Sequence, residues 1–468
     1  MKIPNIFKNK LIKAGASYTI ANVVLRGISF LTLPIFVRLL TTTEFGRYNV
    51  FVSFESIIGM FSALTLHASI KNAKYDMAND YDAYVKNCIY FDFYNSILLA
   101  FIANIICLFY SDIIDLTFLE VNLLVLSGFC GAVISIYSSK LIMDYLSKDY
   151  VIVSIITSIF GVVLSLIYIY TIFSFDHYLG RLIGGICGQV IATLYIFYKL
   201  FKDKSVKVNL NYWKYGLKIS LPIVPHGLSQ IILGSSDRIM IKYMYTEALA
   251  GIYSLTYTVS LIPSLIFNSI ANVWEPWFFE NMNEGKLEAI KKTSTKLCLL
   301  MTLGFIGFAC VTPEMVKIIA TKDYYDAIDV SILVIAGVYF ASLYNIPCEV
   351  EYFYKKTKFI AIGSVFAASV NVLLNYIFMH YYSYKIAAVT TLITYFLYFL
   401  FHMFISYRIQ HKWFFDVNRM MSLIGAGCVT FGVIYISIDN FFVRYAILTV
   451  SIVCFVLQFR GLHLSRQS

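Results

Sequence analysis

Charge is what this chain has least of: Asp, Glu, Lys and Arg make up 14 % of its 468 residues, against about 25 % in an ordinary soluble domain. The apolar share is 59 %, above the usual ~45–50 %. Together these values exclude a cytosolic globular enzyme. Paired cysteines are also lacking. Cys88, Cys107, Cys130, Cys187, Cys298, Cys310, Cys348, Cys428 and Cys454 stand singly in or beside apolar runs, with no C-x-x-C spacing and no neighbouring His. They read as small buried hydrophobes, not as metal or redox ligands. There is no G-x-x-x-x-G-K-[ST] phosphate loop, no H-E-x-x-H and no G-x-S-x-G, so direct ATP use and these hydrolytic chemistries have no recognisable parts. Asp80 and Asp82 have D-x-D spacing, but they sit in a loop too short for a nucleotide-binding fold and read as a solvated charge cluster. No metal and no cofactor is expected. The net charge of +10 is not gathered on a soluble face, which argues against a nucleic-acid partner.

What the chain does have is a succession of nearly charge-free runs of about 20 residues, each long enough to cross a hydrocarbon layer of about 30 Å as a helix. The reading is an all-α polytopic membrane protein with about fourteen spans. They lie near 15–40, 47–70, 87–110, 117–141, 150–173, 178–201, 216–243, 248–279, 295–319, 327–350, 358–380, 384–407, 419–437 and 441–459. The first follows a basic stretch as a secretory signal would, but it carries Arg26 and lacks a small-residue cleavage site, so it is expected to be retained. With the N-terminus inside, 27 Lys and Arg fall at the inner ends and loops, seven at the outer ones and three (Arg26, Arg38, Arg238) within spans. That bias sets both termini in the cytoplasm.

The longest connection is the basic segment 202–215, and it divides the chain. The expected organisation is an N-terminal lobe of six helices (1–201), the linker 202–215, a C-terminal lobe of six helices (216–408) and an extra helix pair with its tail (409–468). A weak repeat spans the divide: EFGRYNVF at 44–51 matches LAGIYSLT at 249–256 through Gly46 and Tyr48 against Gly251 and Tyr253. Two related lobes with a site between them near the midplane is a common transporter plan.

Candidate functional residues are the charges placed where charge is expensive, since Arg or Asp at the centre of a membrane helix costs about 2.5–3.5 kcal/mol on insertion scales. Arg26 is near mid-span, too deep to snorkel. Tyr18, Thr19, Asn22, Arg26 and Ser29 share one helix face, which makes that face polar within an apolar span. Glu55 on the next helix has a similar depth, so an Arg26–Glu55 pair is expected, either lining a cavity or fixing two helices. The helix opening the second half repeats the pattern with His226, Gln230 and Asp237 on one stripe and Arg238 beside them. Pro222 and Pro225 interrupt its backbone, as at transporter sites where carbonyls are freed. Asp237 and Arg238 read either as a shallow structural pair or as substrate contacts. Arg38, at its helix end, reads as snorkelling. Gly180, Gly184 and Gly188 read as close helix packing. Asn371 and Asn375 would bond neighbouring helices or face the cavity. Asp92, Glu120, Glu275 and His402 are placed near span ends, within reach of water, and are assigned no role.

Several stretches resemble one family. FLTLPIFVRLLTTTEFGRYNVF at 30–51, KISLPIVPHGLSQIILGSSDRIMIKYM at 218–244, AGIYSLTYTVS at 250–260 and KKTKFIAIGSVFAASVNVLLNYIFM at 355–379 look like the oligosaccharide flippases, or polysaccharide transport proteins, of the multidrug/oligosaccharidyl-lipid/polysaccharide exporter superfamily. The resemblance implies a fold like that of the multidrug and toxin extrusion (MATE) transporters: two six-helix lobes that alternate access to a central, often cationic cavity. It also implies a non-enzymatic function, movement of a polyprenyl-diphosphate-linked oligosaccharide across the bacterial inner membrane for O-antigen or capsule biosynthesis. The candidate partners are that lipid, the bilayer, a polysaccharide polymerase and a chain-length regulator. Arg26 would compensate the diphosphate, with Asn22, Glu55, His226, Gln230, Asp237 and Arg238 lining its path. The last two helices lie beyond the twelve-helix core of the family. Two other readings compete: a cation-coupled multidrug exporter on the same fold, which calls for an acidic cavity, and a membrane polysaccharide polymerase or glycosyltransferase, which usually needs a large extramembrane segment.

Overall fold

Backbone polar groups inside a bilayer must be satisfied within their own segment, so apolar runs of this length are driven into helices. The computed structural model describes residues 28, 30–202 and 206–464, and among these every regular element is helical. In chain order the helices are α1 (Phe30–Leu39), α2 (Thr42–Ala63), α3 (Ile70–Asp76), α4 (Tyr81–Ile114), α5 (Phe118–Met143), α6 (Ser147–Ile155), α7 (Gly161–Thr171), α8 (His177–Phe201), α9 (Leu210–Ser220), α10 (Val224–Met244), α11 (Glu247–Ser260), α12 (Ile262–Asn283), α13 (Leu287–Ile319), α14 (Asp326–Leu343), α15 (Asn345–Phe353), α16 (Lys358–Tyr381), α17 (Ile386–Gln410), α18 (Val417–Ile436) and α19 (Phe441–Leu464). Ten helices among the described residues are long and apolar enough to cross a membrane, or eleven if the bent pair after Thr42 is one span. Each expected span after the first coincides with a helix or a broken helix pair, and the part of the first that is described, Phe30–Leu39, is helical.

The breaks have local causes. Leu64 and Thr65 both take left-handed backbone conformations (φ 44° and 56°), and the chain bends by 58° between α2 and the segment from Leu66. Pro222 separates α9 from α10, and Pro263 stands at the start of α12 just after Leu261 ends α11. A five-residue π-helical turn, Ile156–Phe160, joins α6 to α7. The sequence repeat has a structural counterpart at the helix starts. Thr41 accepts the backbone N–H of Glu44, and Thr246 accepts that of Leu249. Each threonine therefore caps its helix in the same register ahead of Gly46-x-Tyr48 or Gly251-x-Tyr253.

By its internal contacts the chain divides into two compact units, Met1–Ile231 and Ile232–Ser468, with the boundary inside α10. In the first unit α5 packs against α2, α4 and α8, and α7 lies along α8. The glycines at 180, 184 and 188 face Ile169, Ser165 and Gly161 of α7, and a Cβ on Gly184 would stand 2.2 Å from the Ser165 nitrogen. The close-packing expectation for this G-x-x-x-G-x-x-x-G stripe thus has a direct geometric basis.

The basic segment after α8 is held to this unit. Asn209 N–H bonds Asn87 Oδ1 at 2.7 Å, and Trp213 Nε1 bonds the Asn87 carbonyl at 2.9 Å. Tyr215 donates to Asp76 at 2.6 Å; partial burial and then the carboxylate raise its phenol to about 12, which keeps the donor proton in place. Nearby, Asp144 accepts from Lys74 and Lys140. Burial pushes its carboxyl upward, but the two lysine hydrogen bonds and charges outweigh this and leave it below its ordinary value of 3.8.

In the second unit α14 is the central helix: 72 % of the apolar stretch of the span it opens, Asp326–Phe353, is buried, against 11 % for α4. It contacts α11, α13, α17 and α18. The two last helices pack on α13, where Arg444 makes a bidentate pair with Glu314, Nη1 to Oε2 at 2.7 Å, and also reaches the Cys310 carbonyl. Cys428 and Cys454 on these helices are exposed, unlike the six buried cysteines. The outermost helices present apolar side chains on both faces, so a small hydrophobe there need not be covered by protein.

Candidate functional site

Asn22, Arg26 and Ser29 lie outside the described residues, as does the expected Arg26–Glu55 pair. Glu55 is described. It sits on α2 facing α5 and α8, where its Oε1 accepts from the Ser127 hydroxyl and, at 2.9 Å, from the Gln189 carboxamide. Ser127 and Gln189 are also in contact at 2.6 Å. Counted from the starts of α2, α5 and α8, these residues are roughly 14–20 Å along their helices, about half of a hydrocarbon layer. The first unit therefore carries a half-buried carboxylate at mid-depth, bonded by neutral partners. Close approach makes this possible, since Gly128 on α5 meets Gly59 on α2 almost backbone to backbone.

The expected stripe on α10 is divided. His226 and Gln230 are half-buried and belong to the first unit; Asp237 and Arg238 belong to the second. Asp237 is 3 % exposed. Its Oδ2 accepts from Tyr253 on α11 and from Thr391 on α17, both at 2.7 Å, and its Oδ1 accepts from Asn375 on α16 at 2.6 Å. Asn371 extends the network, accepting from Ser236 at 2.9 Å and donating to Thr391 at 3.2 Å. Asp237, Tyr253, Asn375 and Thr391 each lie five to seven residues, about 8–10 Å, from the helix end that the charge bias assigns to the outside. One carboxylate thus ties four helices together at one level, and Asn371 and Asn375 serve as helix-to-helix bonds.

Arg238, the next residue, has different neighbours. Its guanidinium lies 4.8 Å from the centre of the Tyr257 ring, and the Tyr257 and Tyr395 hydroxyls are 3.3 Å apart. Its buried Nε has no hydrogen-bond partner. An arginine held over an aromatic ring with an unused N–H is suited to receive an anionic oxygen. Asp237 and Arg238 are therefore adjacent in sequence but differ in what they can offer. The carboxylate is saturated by the protein, whereas the guanidinium retains a free donor.

Sequence reasoning places Asp92, Glu120 and His402 at water-accessible span ends, and the structure buries all three. Asp92 has no exposed surface and bonds Ser62, with Ser96 at 3.5 Å, while its Oδ2 is unpartnered. The cause is that α4 begins at Tyr81, not near 87, which carries Asp92 about 16 Å into the helix. Glu120 completes a capping box with Thr117, accepts from Tyr178 at 2.6 Å and pairs with Arg47 at 2.9 Å. His402 pairs with Glu351, and neither is exposed. Hydropathy alone could not reveal these pairings because the partners come from distant helices. Four of the seven cations at outer ends are likewise paired with carboxylates: Arg47, Lys242, Lys385 and Arg444. No group of three or more His, Cys, Asp or Glu able to hold a metal occurs among the described residues.

Comparison with known proteins adds three findings. The profile of a family described as "Polysaccharide biosynthesis protein" matches residues 11–282. A Haemophilus influenzae protein of the Lsg locus is 25 % identical over 167 residues, which is 34 % of this chain and 40 % of that protein. The chain thus spans about two-fifths of the length of this curated relative. Among solved structures, an inward closed conformation of the lipid II flippase MurJ superposes with a TM-score of 0.69 at 15 % identity, covering 96 % of this chain and 99 % of that one. An inward-facing transporter of the multidrug resistance MATE family, in the same superfamily, gives 0.62 at 16 % identity, with 85 % and 99 % covered. The expected MATE-like membrane fold is thereby established.

Proposed function

Because this chain belongs to the family of polysaccharide biosynthesis proteins, we propose that it is a flippase for a polyprenyl-diphosphate-linked oligosaccharide repeat unit. The family match over residues 11–282 carries this reading, and the likeness of fold to a lipid flippase supports it. In this reading the chain is a multi-pass protein of the bacterial inner membrane with both termini cytoplasmic. It alternates access between the two leaflets and delivers repeat units for O-antigen or capsule assembly to a polymerase and its chain-length regulator. No covalent chemistry is involved.

Such a flippase must lower the cost of a diphosphate at the bilayer centre. Each charge-assisted hydrogen bond to it is worth about 1.5–3 kcal/mol. Arg26 is the residue assigned to the diphosphate at mid-span. Arg238 offers a second guanidinium, supported by its ring contact and its unused Nε. Asn22, Gln230 and His226 supply polar contacts along the route, and aromatic rings suit the sugar faces. Glu55 on α2 and Asp237 on α10 bring negative charge; their bonds to Ser127, Gln189, Tyr253, Thr391 and Asn375 spread that charge and limit its repulsion of the substrate.

The test is a deletion strain assayed for the leaflet that holds the lipid-linked oligosaccharide. Deletion should leave it in the cytoplasmic leaflet. Arg26→Ala should reproduce that state, and Arg26→Lys should retain part of the activity if a positive charge suffices. Arg238→Ala should slow delivery by about 10- to 150-fold, the equivalent of one lost charged hydrogen bond. Normal delivery in the deletion strain would end this reading. Glu55-dependent efflux of cationic dyes would instead favour the drug exporter, and polymerisation of repeat units by the purified protein would favour the enzyme.

A further inference from the structure

The cations at outer ends differ in what offsets their charge. Arg47, Lys242, Lys385 and Arg444 each meet a carboxylate, and Lys317 and Lys322 are exposed, where water solvates them. Arg181 on α8 has neither. It is half-buried, and among the described residues it bonds no carboxylate. Its guanidinium carbon stands 3.9 Å from the centre of the Phe36 ring on α1 and 4.9 Å from that of Tyr48 on α2, while Nη1 donates to Ser165 Oγ on α7 at 3.0 Å. Nε and Nη2 bond no described residue and are not sealed in the interior. The acids nearest along the helix ends are engaged elsewhere: Asp176 accepts the Leu179 N–H, and Glu44 accepts from His177 and Thr41.

Arg47 has the closed form of the same arrangement. Its guanidinium lies 4.4 Å from the centre of the Tyr178 ring, and Glu120 accepts from its Nη2 at 2.9 Å. At Arg181 the rings are present and the acid is missing. Aromatic rings attract a cation without using its in-plane N–H donors, and a guanidinium with two open donors matches two oxygens of a phosphate. Depth favours a phosphate carried by a lipid. Phe36, Tyr48, Ser165 and Arg181 lie three to six residues, about 5–9 Å, from the ends of α1, α2, α7 and α8 that the charge bias assigns to the outside. That level is close to the boundary between headgroups and hydrocarbon in the outer leaflet. All four residues belong to the first unit, which supplies every contact.

We propose that Arg181 is a phosphate-binding residue at the outer end of the first unit. It takes the phosphate oxygens of a lipid through charge-assisted hydrogen bonds, while Phe36 and Tyr48 hold the guanidinium and Ser165 orients it. Two lipids carry that chemistry: a polyprenyl diphosphate leaving the protein, and a phospholipid of the outer leaflet. The phosphate site stands on the geometry around Arg181; its use in releasing a translocated diphosphate rests on the flippase reading.

Calorimetric titration of the full-length protein in detergent with geranyl diphosphate, a short prenyl diphosphate, tests the site. An Arg26→Ala, Arg238→Ala background removes the other two assigned guanidiniums. The binding that remains should weaken by about 10- to 150-fold on adding Arg181→Gln, the equivalent of one charged hydrogen bond, and Arg181→Lys should recover part of it. Equal affinity with and without Arg181→Gln, or no binding in the background, would overturn the proposal. If that background fails to fold, Arg181→Gln alone should remove one binding equivalent from the wild-type stoichiometry, and an unchanged stoichiometry would overturn the proposal as well. Competition identifies the lipid. Arg181-dependent binding that survives an excess of phosphatidylglycerol assigns the site to the diphosphate, whereas displacement assigns it to the phospholipid. In the first case Arg181→Gln should also slow delivery to the outer leaflet in the complemented deletion strain. A deletion strain with normal delivery would count against the flippase reading, and the titration would then decide the phosphate site alone.

Discussion

The contact between α7 and α8 offers the most sharply quantified perturbation in this fold, Gly184→Ala. Ordinary contact for a Cβ begins at 3.4 Å, but here it would lie 2.2 Å from the Ser165 nitrogen, 2.3 Å from its Cα and 2.7 Å from the Leu164 carbonyl carbon. These are backbone atoms, so no side-chain rotation relieves the overlap, and the helices must separate by more than about 1 Å. At that separation two interactions fail together: Arg181 Nη1 to Ser165 Oγ and the Ser165 hydroxyl to the Arg181 carbonyl, both now 3.0 Å. Overpacking of this kind costs about 1–3 kcal/mol, and two lost hydrogen bonds add about 0.5–1.5 kcal/mol each. The expected destabilisation is therefore about 2–6 kcal/mol, read as the melting temperature and denaturation midpoint of the detergent-purified protein. Because α8 also carries Gln189, transport should fall as the Glu55 contact loosens. Gly131→Ala and Gly425→Ala, where a Cβ meets nothing within 4 Å, serve as controls and should stay within about 0.5 kcal/mol of wild type. A Gly184→Ala protein as stable as these controls would refute the packing argument.

Three further outcomes are expected. Asp237→Ala should leave the donors of Tyr253, Thr391 and Asn375 unpaired and cost about 3–5 kcal/mol in thermal stability; Asp237→Asn should cost less, since it preserves the shape, and equal losses would show that the charge rather than the hydrogen bonding holds the four helices. Arg444→Ala should release α19 from α13 with a comparable loss, and Arg444→Lys should recover only part of it because the bidentate geometry is gone; protease accessibility of the segment after α18 reports this directly. For Asp144, the folded-state carboxyl lies below its ordinary value, so its contribution to stability is present above about pH 4 and is withdrawn as pH falls through the folded value. Lys74→Ala should diminish that acid-sensitive component in melting curves recorded against pH, and an unchanged pH profile would remove the ion cluster from the stability of the inner end.

Much of the architecture is legible in the sequence because the bilayer imposes one rule on the whole chain. Runs from 117–141 and 358–380 read as helices by hydropathy alone and appear as Phe118–Met143 and Lys358–Tyr381. Helix ends are less legible. Tyr81–Lys86 and Leu287–Ser294 continue α4 and α13 past the apolar window, and their charged side chains conceal this by looking like loop. The difference matters for Asp92, whose depth depends on where α4 begins.

By itself the sequence determined the class of protein, the order of its spans, the asymmetry of basic charge and the stripe of glycines on α8. All of these follow from local composition and helical spacing. Only the tertiary structure decided what the buried charges meet. Asp237 is satisfied by three other helices, Arg238 lies on Tyr257, Glu351 faces His402 and Arg444 grips Glu314. Each of those pairings depends on which helices become neighbours, a property of packing in three dimensions that no spacing along the chain encodes.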